Sequence, residues 1–194
     1  MYQTLLNRFQ KNDGYLNKIK ALTPHEKYQL RVLVRKEIIT RVKPGLYHLN
    51  GPSVANQEIE VSKIVPSGIF CMYTAWAYYE LSTFVSSEYH IAIDKSLKIN
   101  LPVYPPIKLH FWSARTLELG LIEINIKDAR VRIFDLERSV CDAVKFRNKI
   151  GIDLLSEILR NYVRRKDKNL DKLFKYADEL RISATLTQLI RILI

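Results

Sequence analysis

A chain of 194 residues, 47% hydrophobic and 26% charged, has room for one large core and a smaller second one, and its composition excludes a disordered polymer. The longest uncharged stretch, residues 64–79, is interrupted by Pro66 and Gly68 and falls short of the ~18 to 20 apolar residues that a bilayer crossing needs. The net charge of +11 is uneven: residues 1–50 carry ten Lys and Arg against three acids, a concentration that favours a polyanionic partner for this part of the chain.

Tyr2, Leu5, Leu6 and Phe9 recur at helical spacing, which predicts an amphipathic helix over 2–11, stopped by Asn12, Asp13 and Gly14. This segment lacks the apolar centre and small-residue cleavage site of a signal peptide, so a cytoplasmic protein is expected. Asn17 can cap a short helix running to Leu22. Thr23, Pro24 and Glu26 then supply a capping box and a first-turn proline for a helix continuing to Arg35 or Lys36. Residues 38–42 and 46–49 read as strands joined through Lys43-Pro44-Gly45, with proline and glycine where a type II turn wants them. Three helices followed by a hairpin is the order of a winged helix-turn-helix.

Gly51, Pro52 and Ser53 mark the expected boundary between a domain over 1–50 and a second over 51–194. The second domain opens with a helix over 56–64 and a largely buried one over 69–81. Four alternating runs follow: Tyr89, Ile91, Ile93; Ile107, Leu109, Phe111; Ile122, Ile124, Ile126; and Val131, Ile133. They predict a sheet of about four strands with one solvated face. Beyond Asp135, a plausible N-cap for a helix to Arg147, the pattern is helical. Inward stripes run through Leu155, Ile158, Leu159 and Tyr162; Leu170, Leu173, Phe174 and Ala177; and Leu186, Leu189, Ile190 and Leu193. The expected class is therefore α+β: a winged helix-turn-helix followed by a mixed α/β domain with mainly C-terminal helices. Cys71 and Cys141 lack a neighbouring thiol or a histidine cluster and read as buried thiols. No metal or cofactor is expected.

A helix-turn-helix works because one helix braces another across the phosphates while the second presents side chains to base edges in the major groove. With Leu30 at the centre of the buried side, the opposite face carries His25, Tyr28, Arg31 and Arg35, flanked by Lys27 and Gln29. Arginine pairs bidentately with guanine and glutamine with adenine, whereas lysine and tyrosine suit phosphates. Candidates near bases are Arg31, Gln29 and His25, with Lys27, Tyr28 and Arg35 for backbone or base. Arg41 and Lys43 flank the hairpin tip, and Lys18 and Lys20 lie on the bracing segment.

Residues 30–39, followed by Arg41-Val42-Lys43-Pro44-Gly45-Leu46-Tyr47, together with residues 69–81 and the run Val131-Arg132-Ile133-Phe134-Asp135-Leu136-Glu137-Arg138-Ser139-Val140-Cys141-Asp142, resemble the AbiEi-type antitoxins of type IV toxin-antitoxin (abortive infection) systems. The Glu-Arg-Ser-x-x-Asp pattern at Glu137, Arg138 and Asp142 is the most specific element. Glu37 stands where that family often has glycine, and Tyr79 where a histidine is frequent. The resemblance implies an autorepressor that binds inverted repeats in its own promoter. It further implies an antitoxic C-terminal domain countering a nucleotidyltransferase toxin without a stable complex.

Two other classes compete. A nuclease wants acids and a lysine converging at strand ends to hold a divalent metal, but Glu123 is followed by Ile124 and Asn125. The spacing of Arg138 and Asp142 suits a structural i,i+4 ion pair better than catalysis. His90 and His110 stand alone on strands and read as sheet or surface residues rather than ligands. A ligand-sensing regulator without an antitoxin role is the other alternative.

Overall fold

The computed structural model describes residues 2–17, 19–51, 56–127 and 129–193, with the side chains of residues 192 and 193 left out. The chain is mixed α+β, about 48% helical and 20% strand. It divides into two compact units, the first made of Met1–Pro66, Ile99–Pro105 and Asn125–Val131 and the second of Ser67–Lys98, Pro106–Ile124 and Arg132–Ile194. The first unit thus continues past residue 50. Pro52 and Ser53, read as the domain boundary, lie outside the described residues, as does Lys18.

In the first unit α1 (Gln3–Gln10) buries Leu5 and Phe9, one turn apart, and ends where Asp13 and Gly14 take positive φ. β1 (Tyr15–Leu16) follows, then a 3-10 turn at Ile19–Ala21. The expected short helix capped by Asn17 is thus reduced to one turn, and β1 was not anticipated because two residues carry no periodicity. α2 (Pro24–Arg35) begins at the expected capping box: Glu26 N–H donates to Thr23 Oγ1 (3.2 Å) and Thr23 N–H to Glu26 Oε2 (2.9 Å). β2 (Ile39–Lys43) and β3 (Leu46–Leu49) form the expected hairpin, with Gly45 at φ +87° as its turn requires. The sheet order is β1-β3-β2, antiparallel throughout. Leu5, Phe9, Leu16, Leu22, Leu30, Leu33 and Ile39 make the core of this unit. α3 (Gln57–Ile64), capped by Asn56, belongs with it.

The junction from α2 to β2 is a Schellman motif. Ile38 N–H donates to Leu33 O and Glu37 N–H to Val34 O, both at 3.0 Å, which forces Glu37 to φ +57°. Asn50 Nδ2 donates to Glu37 O at 2.8 Å and so also holds the left-handed residue. A glutamate pays the left-handed penalty that glycine escapes. Glu37→Gly is expected to raise the stability of the protein by about 1 kcal/mol, read as an increased denaturation midpoint; a lowered midpoint contradicts it.

In the second unit β4 (Ile69–Phe70) precedes α4 (Met72–Tyr78), where one helix over 69–81 was expected. Ile69 and Phe70 pair with β5 (Tyr89–Asp94), and Phe70 also aligns with Ile133; long-range pairing overrides the local pattern. Among the described residues, β6 (Ile107–Trp112), β7 (Leu121–Ile126) and β8 (Ala129–Phe134) complete a five-stranded sheet of order β6-β5-β4-β8-β7. Two expectations fail here. β5 is buried on both faces from His90 to Ile93, and the assumed inward Phe111 is 55% exposed while Trp112 joins the core. Alternation reveals that a strand has two faces, not which is covered, and Trp112 stacks on Phe134 at 5.5 Å. A short α5 (Ala114–Glu118) follows β6.

The expected helix to Arg147 is α6 (Leu136–Lys145) and a separate turn α7 (Arg147–Ile150). α8 (Ile152–Arg164) buries Leu155, Ile158, Leu159 and Tyr162 as its stripe requires. α9 (Leu170–Glu179) buries Leu173 and Ala177, leaving Leu170 38% exposed, and α10 (Ser183–Leu193) buries Leu186 and Ile190. The side chain of Leu193 lies outside the described ones.

Candidate nucleic-acid interface

Burial of Leu30 and Leu33 against the first core turns the other side of α2 to solvent. His25, Tyr28, Arg31 and Arg35 are all exposed there, Tyr28 by 65%; Lys27 is half-buried. Arg41 on β2 and Lys20 on the 3-10 turn are exposed as well. Lys36, which caps α2, adds an exposed cation that the helical-face argument left out. The acid within α2 does not oppose this face. Glu26 is buried, its carboxyl held below the usual range chiefly by Thr23 N–H, with Arg8 Nε 3.0 Å away.

Two candidates are placed otherwise than expected. Gln29 is only 5% exposed, and its Nε2 lies 2.9 Å from His25 Nε2; a side chain facing the core this way does not reach a base edge. Lys43 is half-buried, and its ammonium donates to Ile64 O at 2.6 Å, with burial lowering its pKa. It ties the hairpin to the end of α3 instead of standing free at the tip. The i,i+4 spacing of His25 and Gln29 was a legible signal for their pairing, whereas nothing local announces the Lys43 bond.

The motif of the second unit is a buried polar centre. Asp135 caps α6 by accepting from Arg138 N–H (2.9 Å), and its Oδ2 accepts from Tyr176 Oη at 2.9 Å. Arg138 is fully buried: Nε meets Asp142 Oδ1 at 3.1 Å, and Nη1 donates to Thr116 O (2.7 Å) and Leu119 O (2.8 Å) at the end of α5. Its guanidinium carbon lies 4.4 Å from the Phe134 ring centre. Burial pushes the Asp142 carboxyl up against the opposing pull of Arg138. Glu137 accepts from Asn169 N–H at 3.0 Å and faces Lys172 Nζ at 3.5 Å. Gly120, at φ +73°, packs so closely that a Cβ there would lie 2.5 Å from Arg138 Cβ. Glu137 and Arg138 join α6 to neighbouring segments, Asp142 pairs with Arg138 within the helix, and Arg138 and Asp142 are closed to solvent.

His90 and His110 do not stand alone. They occupy adjacent parallel strands, with Nδ1 of the first 2.9 Å from Nε2 of the second and the rings stacked at 5.1 Å. Strand register, invisible in the sequence, brings them together. The pKa of His90 is lowered to about 4, first by burial and then by the charges of His110 and Lys108. Because the folded value lies below the ordinary 6.5, the stability tied to neutral His90 is intact above pH 6.5 and is lost as pH falls towards 4. The loss should reach about 3 kcal/mol, seen as a steeper acid decline in denaturation midpoint for the natural chain than for His90→Gln. Parallel pH curves for the two contradict it. Cys71 and Cys141 are buried, and burial raises both thiols, which keeps them protonated and unreactive.

Among the described residues no group of three or more His, Cys, Asp or Glu could hold a metal ion, and no helix is long and apolar enough to cross a membrane. No protein-family model matches the chain, and no curated protein sequence matches it significantly.

Proposed function

We propose that the first unit is a winged helix-turn-helix that binds double-stranded DNA, with α2 as the recognition helix and the β2-β3 hairpin as the wing. The observation that carries this reading is the single cationic, solvent-facing side of α2 formed by His25, Tyr28, Arg31 and Arg35. The order helix, short strand, turn, capped helix, hairpin, with β3 central in its sheet, supports it. In this reading Arg31 and His25 approach bases, Tyr28, Lys27 and Arg35 contact backbone or base, and Arg41 and Lys20 bind phosphates.

The wider role is an autorepressor and antitoxin of a type IV toxin-antitoxin system acting in the cytoplasm. It binds inverted repeats in its own promoter and counters a nucleotidyltransferase toxin without a stable complex. This part rests on the resemblance of the recognition segment, the hairpin and the Glu137-Arg138-Asp142 motif. The burial of Arg138 and Asp142 in an ion pair favours a structural over a catalytic role for the motif, and with it a non-enzymatic protein. The test is titration of the full chain onto a duplex carrying its own promoter and onto random duplex at several salt concentrations. Preference for the promoter supports the repressor reading; a steep salt dependence without preference defeats it. Co-expression of the full chain with a neighbouring nucleotidyltransferase should restore growth, and failure to do so removes the antitoxin role.

A further inference from the structure

The bond between Gln29 and His25 determines more than packing. The Gln29 atom that meets His25 Nε2 at 2.9 Å is the amide nitrogen, which has protons to give and no lone pair to accept with. Where the amide donates, His25 Nε2 accepts and the ring proton of the neutral imidazole sits on Nδ1. Gln29 is buried while His25 is exposed in the first turn of α2. That turn is held by the capping box and by the ion pair between Arg8 and Glu26.

Resting on the DNA-binding reading above, we propose that Gln29 is a positioning residue: it holds His25 with Nε2 occupied and Nδ1–H as the donor for an acceptor on a base edge in the major groove. Purine N7, guanine O6 and thymine O4 are such acceptors, whereas the exocyclic amines of adenine and cytosine are not. The glutamine that sequence logic aims at adenine acts instead through its neighbour, and the pair reads an acceptor where an unrestrained histidine could present either a donor or an acceptor.

The experiment has two arms. Nitrogen-15 NMR of the free full chain at neutral to mildly alkaline pH reads which ring nitrogen of His25 carries the proton. The expected result is Nδ1–H in the natural chain and Nε2–H in Gln29→Glu, whose carboxylate can only accept. Gln29→Leu, which offers neither, should relax the preference and serves where the buried glutamate impairs folding. Nε2–H in the natural chain overturns the proposal. In the second arm a duplex library with a randomised core is selected by the natural chain, His25→Ala and Gln29→Glu. Both variants should lose roughly tenfold preference at the same one or two base positions while the rest of the selected site persists. Unchanged preference in either variant overturns the groove role. If Nδ1–H is found but the natural chain selects no sequence, the DNA reading itself has failed, and the groove role falls with it while the tautomer stands.

Discussion

Replacing Arg138 by methionine is expected to destabilise the protein by about 3–5 kcal/mol, because it leaves a buried carboxylate without its counter-ion. Asp142 is fully buried, with Arg138 Nε on its Oδ1, and its remaining oxygen has no hydrogen-bond partner among the described residues. Thr116 O and Leu119 O lose the Nη1 donor at the same time. Lysine should not rescue, since a single ammonium cannot span the fork that Nε and Nη1 cover between a carboxylate and two carbonyls. The double variant Arg138→Met with Asp142→Leu should recover part of the loss by removing the orphaned charge, though the two carbonyls stay unsatisfied. Both tryptophans, Trp76 and Trp112, pack in this unit's core, so fluorescence-detected chemical denaturation reads the transition directly. A loss below about 1 kcal/mol for the single variant would show that the ion pair is incidental.

Reversing the charges of Arg31, Arg35 and Arg41 together is expected to lower duplex affinity by roughly three powers of ten at moderate salt, and to reduce the salt slope by up to ~2.7. All three are exposed, so their loss should leave the melting curve of the protein nearly unchanged and the effect is assignable to binding. Lys43→Glu should behave differently. Its ammonium is bonded to Ile64 O, so this change should lower the melting temperature while altering the salt slope by less than about half a unit. Fluorescence anisotropy with a labelled duplex at four or five salt concentrations separates the two outcomes. Unaltered affinity in the triple variant removes α2 and its hairpin as the DNA-binding surface.

The start of α2 was legible because Thr23, Pro24 and Glu26 are local signals acting within one turn. The turn at Pro44-Gly45 and the inward stripe of α8 were legible for the same reason. Most of the exposed candidates on α2 followed from one angle per residue. Gln29 did not, because its position on the flank left open whether it would fold inward, and packing against the rest of the unit turned it there. The pairing of His90 with His110 lay beyond local reasoning, since it depends on how β5 aligns with β6.

Taken alone, the residue order determined the mixed α+β composition, the capped helix and its hairpin, the concentration of positive charge near the N-terminus and the i,i+4 spacing of Arg138 and Asp142. Each follows from interactions spanning a few residues, or from charge counted along the chain. Only the tertiary structure decided that Ile69–Phe70 is a strand, which face of β6 is covered, that Lys43 is engaged with Ile64, and that the Glu137-Arg138-Asp142 motif joins α6 to its neighbours. Those outcomes depend on which distant segments compete for the same buried surface and hydrogen bonds, and that competition is resolved only when the chain packs.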